Sequence, residues 1–184
     1  RNEAAGTRKV PFARELYIEK SDFAEVPPPK FQRLKPDGEV RLMGAYIVRC
    51  NEVVKDENGE IVEIRCTADL ETGSGMPADG RKVKGTIHWV SAAHAVDADL
   101  YLYDNLFTLE NVGDVPEGTD YLDYLKPDSL KKLTGCKLEP SLRGAKEGER
   151  FQFVRMGYYV KDREEGRFNR IVTLKDSFAK TLQK

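Results

Sequence analysis

The chain is poor in the residues that usually build catalytic centres and covalent staples. Its 184 residues include two histidines, one tryptophan and three cysteines. Cys50, Cys66 and Cys136 lie far apart with no C-x-x-C spacing, which gives no basis for a zinc site. Their odd number, with no secretory signal at the start, points to reduced thiols and a cytoplasmic setting. No apolar run approaches the roughly 20 residues of a membrane-spanning helix, so no membrane partner is expected. G-x-S-x-G, the P-loop and H-E-x-x-H are all missing. Helical periodicity is scarce, and there is no internal repeat or low-complexity tract. The chain opens RNEAAGTRKV without an initiator Met, as expected of a processed product or, better, a fragment.

What is present describes a folded, soluble protein. Apolar residues make up 40% and charged residues 33%. A single globule of this length buries roughly 70% of its unfolded surface, so no staple is needed. The length also suits two small domains. A formal net charge of −1 argues against a uniformly basic coat but permits a local basic face.

Strand and turn signals dominate. In Arg14–Phe23, Leu16 and Ile18 alternate with charges, and Pro27, Pro28 and Pro29 then stiffen a connector. Across Glu39–Asp69 the apolar residues fall at even positions: Val40, Leu42, Tyr46, Val48, Cys50 and Val54, then Val62, Ile64 and Cys66. That is a β-hairpin, and its register can be argued. A two-residue Asn58-Gly59 turn would set even positions opposite odd ones and send the two apolar rows to opposite faces. A three-residue loop, Glu57-Asn58-Gly59 with Gly59 left-handed, puts both rows on one face, as burial requires. It places Cys50 opposite Cys66 as reduced core thiols. Further strands are expected at Lys82–Val90, Asp99–Leu106, Arg150–Asp162 and Phe168–Lys175. One short helix is expected near Pro127–Leu133, started by Asp128-Ser129. The class is all-β, barrel-like, with room for two sheets.

DGRKVKGTIHWVSAAHA, residues 79–95, holds both histidines and the tryptophan. His88 shares a strand face with Lys82 and Lys84, which would repel a cation, and His94 lies beyond in SAAHA. The residues alone read as a strand with a solvent-facing His88 and a packed Trp89, not as an active site.

The same stretch resembles a marker sequence in the C-terminal region of glutaminyl-tRNA synthetases, the bacterial form above all. PFARELYIEKSDF, EVRLMGAYIVRC, DLYLYDNLF, EPSL, FQFVRMGYY and FNRIVTLKD resemble that region in the same order, over essentially the whole chain. Eukaryotic glutaminyl enzymes and archaeal and eukaryotic glutamyl enzymes share the region. The resemblance implies two β-barrels, of a type related to a ribosomal 5S rRNA-binding protein, that bind the anticodon of tRNA. A distal barrel would span 28–107, inserted in a proximal barrel formed from 1–27 and 108–184. HIGH-like and KMSKS-like signatures are missing from the chain. The resemblance therefore implies no catalytic residue and no cofactor here; the parent enzyme, with its own catalytic domain as partner, would use ATP and Mg²⁺ to attach glutamine to its tRNA.

By the same resemblance, Arg33 in FQRL, Arg41 in EVRL and Gln152 in FQF would contact anticodon bases. A planar guanidinium can bond a base edge and a phosphate together. An amide both donates and accepts, which suits the uracil at the centre of both glutamine anticodons. Gln152 stands between Phe151 and Phe153, so its side chain points away from both rings. Arg155 and Arg170 are further candidates for phosphates or bases. Lys82 and Lys84 either contact the RNA backbone or keep a strand soluble. Read without the resemblance, Arg33 and Arg41 are ordinary outward-facing strand residues. Many bacterial relatives carry basic residues where Gln32 and Met43 stand, and one arginine that helps read the middle base in the family falls upstream of Arg1. Weaker binding than that of a whole synthetase is expected.

Overall fold

A computed structural model describes residues 6–174. Its regular structure is strand, with a few 3-10 turns and, among the described residues, no α-helix. The all-β class is therefore what the structure shows. The chain forms two compact units. One is Pro11–Ala93; the other is assembled from the segments on either side of it.

In the inserted unit, β1 (Leu16–Ile18) pairs antiparallel with β6 (Trp89–Ser91). This pairing holds residues ahead of the triproline connector in the unit, whereas 28 and 107 were the limits expected from sequence. A second sheet runs β4 (Ile61–Asp69), β3 (Ile47–Lys55), β2 (Glu39–Leu42) and β5 (Thr86–Ile87), with β5 parallel to β2. Alternation decides what these strands bury. Val40, Leu42, Val48 and Cys50 enter a core with Leu34, Ile87 and Trp89, while Arg41 projects between Val40 and Leu42. Trp89 donates its indole N–H to the Met43 carbonyl at 3.0 Å and meets Phe12 edge-on at 5.2 Å between ring centroids.

The β3–β4 loop is Glu57-Asn58-Gly59, with Gly59 at φ +81°, and Cys50 lies opposite Cys66. The register then slips twice. Asn51 is an unpaired extra residue on β3 and Val62 on β4, so the two bulges cancel before the turn. Between them the even-position row breaks: Val53, opposite Ile64, packs against the core, and Val62 is 62% exposed. Cys66 is likewise exposed, not a core residue, and none of the three cysteines is in a disulfide. Although the residue as a whole is exposed, partial desolvation of its sulfur and, secondarily, the nearby Cys50 thiol push the Cys66 thiol up to about 11.

Among its described residues the other unit has one five-stranded sheet, in the order β8 (Leu130–Leu138), β7 (Val96–Tyr103), β11 (Arg167–Thr173), β10 (Gly157–Lys161), β9 (Arg150–Phe153). β7 and β11 run parallel and the other neighbours antiparallel. Ala98, Leu100, Leu138, Tyr159 and Phe168 form its core. Among the described residues the ladders of both larger sheets are open-ended, with β8 and β9, or β4 and β5, at the edges.

Several elements differ from expectation. The helix near Pro127–Leu133 does not form. Pro127-Asp128 instead make a turn, closed by the Ser129 N–H on the Lys126 carbonyl, and β8 follows. Seven of its nine residues pair along β7, a long-range contact that overrides the local Asp-Ser capping signal. Arg150–Asp162 is not one strand but the hairpin β9–β10. Lys82–Val90 carries only β5 and the start of β6, and His88 between them is half-buried. β7 begins and ends three residues earlier than Asp99–Leu106. Lys175, the last residue of the expected final strand, lies outside the described residues.

Candidate nucleic-acid interface

The base-contact candidates fall in different units, and each unit holds them differently. Arg33 is not on a strand. It precedes Leu34, whose N–H donates to the Asp22 carbonyl and whose carbonyl accepts from Ala24. This bridge sets Arg33 beside Asp22, a fully buried carboxylate at 0% exposure. Arg33 Nε stands 3.4 Å from Asp22 Oδ1, and Nη1 donates to the Ser21 carbonyl at 2.9 Å. The guanidinium is thus anchored by the fold, with its plane fixed. That is the pre-organisation a bidentate contact needs, and it replaces the simple picture of an outward-facing strand residue.

Arg41 does face out from β2, but its guanidinium donates to two carbonyls of one loop, Gly73 at 3.1 Å and Gly75 at 2.6 Å. The connection that follows, up to β5, has no regular strand and carries the exposed Lys82 and Lys84. It is held by Arg81, which sequence reasoning overlooked. Arg81 reaches Asp69 and Asp79 at 2.6 Å and Glu39 at 3.1 Å, joining the end of β4 to the start of β2. Hydrogen bonds to Asp69, then Asp79 and Glu39, raise this guanidinium above its ordinary value. Only a small backbone lets the connection close: a Cβ on Gly85, at φ +91°, would stand 1.7 Å from the Gln32 carbonyl oxygen. The Gly85 carbonyl in turn accepts from the Arg41 N–H at 3.3 Å. Gln32, Arg33, Arg41 and the Lys82–Lys84 stretch are therefore brought together through Gly85.

Gln152 behaves as its flanking residues require. Phe151 and Phe153 pack inward on Phe168, with ring centroids 6.0 and 5.7 Å away, and Phe153 stacks on Tyr159 at 4.3 Å. Gln152 is exposed on the opposite face. Its cross-strand partner is Tyr158, itself paired with Val172. The β9–β10 turn, closed by the Met156 N–H on the Phe153 carbonyl, holds Arg155 at φ +67°, a strained conformation for a non-glycine residue. Arg170 pairs with Tyr159 in the row behind, so Gln152 and Arg170 do not share a row of the sheet. After Lys126 and the Asn105 N–H, Arg170 helps hold the Asp104 carboxyl below the usual carboxylate range.

Asp22 and Arg81 were missed because the partners that tie them to other elements, Arg33 for Asp22 and Asp69 and Glu39 for Arg81, lie 11 to 42 residues away in sequence. The one available signal was a lone acid in SDF near the basic FQRL. Among the described residues no three His, Cys, Asp or Glu side chains converge as a metal site would need. No helix there is long and apolar enough to cross a membrane.

Comparison with known proteins gives the geometry a context. Two family models, both described as anticodon-binding domains of class I tRNA synthetases (E and Q), match residues 1–69 and 86–162. A glutamine–tRNA ligase of Xanthomonas campestris pv. campestris (strain 8004) is 54% identical over 185 residues, covering 98% of this chain and 32% of the relative. That of Pseudomonas syringae pv. tomato is 49% identical over 181 residues, covering 96% and 32%. That of Ectopseudomonas mendocina is 53% identical over 178 residues, covering 94% and 32%. The chain spans about a third of the length of the curated relatives it matches.

Proposed function

Because the chain belongs to the anticodon-binding domains of the class I tRNA synthetases (E and Q), we propose that it recognises the anticodon loop of a glutamine tRNA for a glutamine–tRNA ligase. What supports glutamine over glutamate most directly is that relatives matched along 98% of the chain are glutamine–tRNA ligases. In this reading Arg33, Arg41 and Gln152 hydrogen-bond splayed-out bases, and Arg155, Arg170, Lys82 and Lys84 hold phosphates or flanking bases. Unstacked single-stranded bases are read through such edge contacts. The inserted unit takes the part of the distal barrel and the other unit that of the proximal one. The ligase reaction, with ATP and Mg²⁺, belongs in this reading to a whole protein of the relatives' length, working in the cytoplasm beside its own catalytic domain.

The test is binding of anticodon stem-loops that differ only in the three anticodon bases. Tighter binding of the glutamine triplets, with a log–log salt slope near −0.7 per neutralised phosphate, is the expected result. Preference for a glutamate triplet would move the chain to the glutamyl enzymes that share this region. Indifference to the triplet, with tight binding to an internal loop of 5S rRNA, would make it a ribosomal-type RNA-binding protein.

A further inference from the structure

We infer that Tyr158 is a stacking platform for the base whose edge Gln152 reads. The inference rests on the anticodon reading and adds a residue to it. Tyr158 and Gln152 are direct partners across the β9–β10 ladder, so both side chains leave the sheet on the same face. The aromatic rings of this hairpin otherwise turn the other way. Phe151, Phe153 and Tyr159 pack against the core, and Tyr159 is 1% exposed. Tyr158 instead shows 40% of its surface. On its far side stands Val172, and next to that Ile171, each 52% exposed. An exposed ring thus has an amide on one flank and an aliphatic floor on the other.

That arrangement matches what an unstacked nucleobase needs. A base extruded from a loop loses its neighbours in the stack and exposes two π-faces along with its edge. Gln152 can satisfy the edge but offers nothing to a face. An aromatic ring one strand away, on the same side of the sheet, supplies it. Stacking is tolerant of base identity because every base has a π-face. Tyr158 therefore contributes affinity, and Gln152 contributes discrimination. The bulge between Tyr158 and Tyr159 on the β10–β11 ladder marks where the exposed row departs from regular pairing.

The division of labour can be tested on the 184-residue chain with stem-loops carrying 2-aminopurine at each anticodon position in turn. Quenching of its emission on binding is expected at the middle position. Tyr158→Ala should weaken binding roughly five- to hundredfold whichever base occupies that position, and the loss should vanish when the position is abasic. Tyr158→Phe should keep the affinity. Binding without quenching at any position, or a Tyr158→Ala loss that persists with the abasic loop, overturns the platform and leaves the anticodon reading standing. Absence of stem-loop binding by the unaltered chain overturns both. Should Tyr158→Ala fail to fold, the emission measured on the unaltered chain still decides.

Discussion

The two units present their candidate side chains in opposite ways. In the inserted unit both arginines are already engaged by the fold, Arg33 by Asp22 and Ser21 and Arg41 by Gly73 and Gly75. In the other unit Gln152 and Tyr158 project from a hairpin whose packing depends on the residues between and behind them. A guanidinium has five donors, so it can hold a loop and still offer a fork to a ligand. A glutamine amide has far less to share. The contrast separates two designs: in one, recognition and stability run through the same atoms, and in the other they are divided between alternate residues of one strand. Substitution should therefore cost both properties in the first unit and only binding in the second.

The sharpest way to break this comparison is at Gly85. A Cβ there would collide with the Gln32 carbonyl and would need φ +91°. Gly85→Ala should destabilise the inserted unit by about 4 kcal/mol or more, seen as a shifted urea midpoint in Trp89 emission, the chain's only tryptophan signal. An unchanged midpoint would mean that the Lys82–Lys84 connection is not held against Gln32. Next comes Arg33→Ala, which leaves the buried Asp22 carboxylate short of its cation. A loss of about 3 kcal/mol is expected by the same measurement, together with weaker stem-loop binding. Weaker binding with full stability would place Arg33 in the second design.

The Gln152 side of this contrast was legible in the sequence, for identifiable reasons, and the anchoring of Arg33 and Arg41 was not. Alternation is local, so FQF was enough to send Gln152 away from two core rings, and the even-position row was enough to pair Cys50 with Cys66. The loop Glu57-Asn58-Gly59 followed from the need to keep both rows on one face. The bulges at Asn51 and Val62 were not legible, because one extra residue on each strand leaves composition and overall register unchanged. β8 was hidden for another reason. LKKLTGCKL is mostly exposed and lysine-rich, and only its pairing with β7 makes it a strand. Arg81 escaped notice because two of its three carboxylates, Glu39 and Asp69, reach it only after β2 and β4 are in place. Which arginines and lysines are proposed to face RNA came from family resemblance, not from spacing.

Gln152→Ala sharpens the comparison from the other side. Discrimination at the middle base should fall by about 1–3 kcal/mol, while unfolding shifts by no more than about 0.5 kcal/mol, as for an exposed residue outside any network. Stem-loops with each base at that position give the first number and urea unfolding the second. Equal losses for all four bases would remove Gln152 from base reading.

Lys84→Ala is expected to have the smallest effect, and its pattern matters more than its size. Lys84 is exposed on an irregular connection whose position is set by Arg81, Arg41 and Gly85, not by the lysine itself. A flexible ammonium on a rigidly placed backbone suits a phosphate, which needs charge but little orientation. Its removal should weaken binding about threefold for every anticodon alike and reduce the salt slope by about 0.7. A loss confined to one triplet would instead place Lys84 with Arg33 and Arg41 among the groups that read bases. The inserted unit would then discriminate through its mobile side chains as well as its anchored ones.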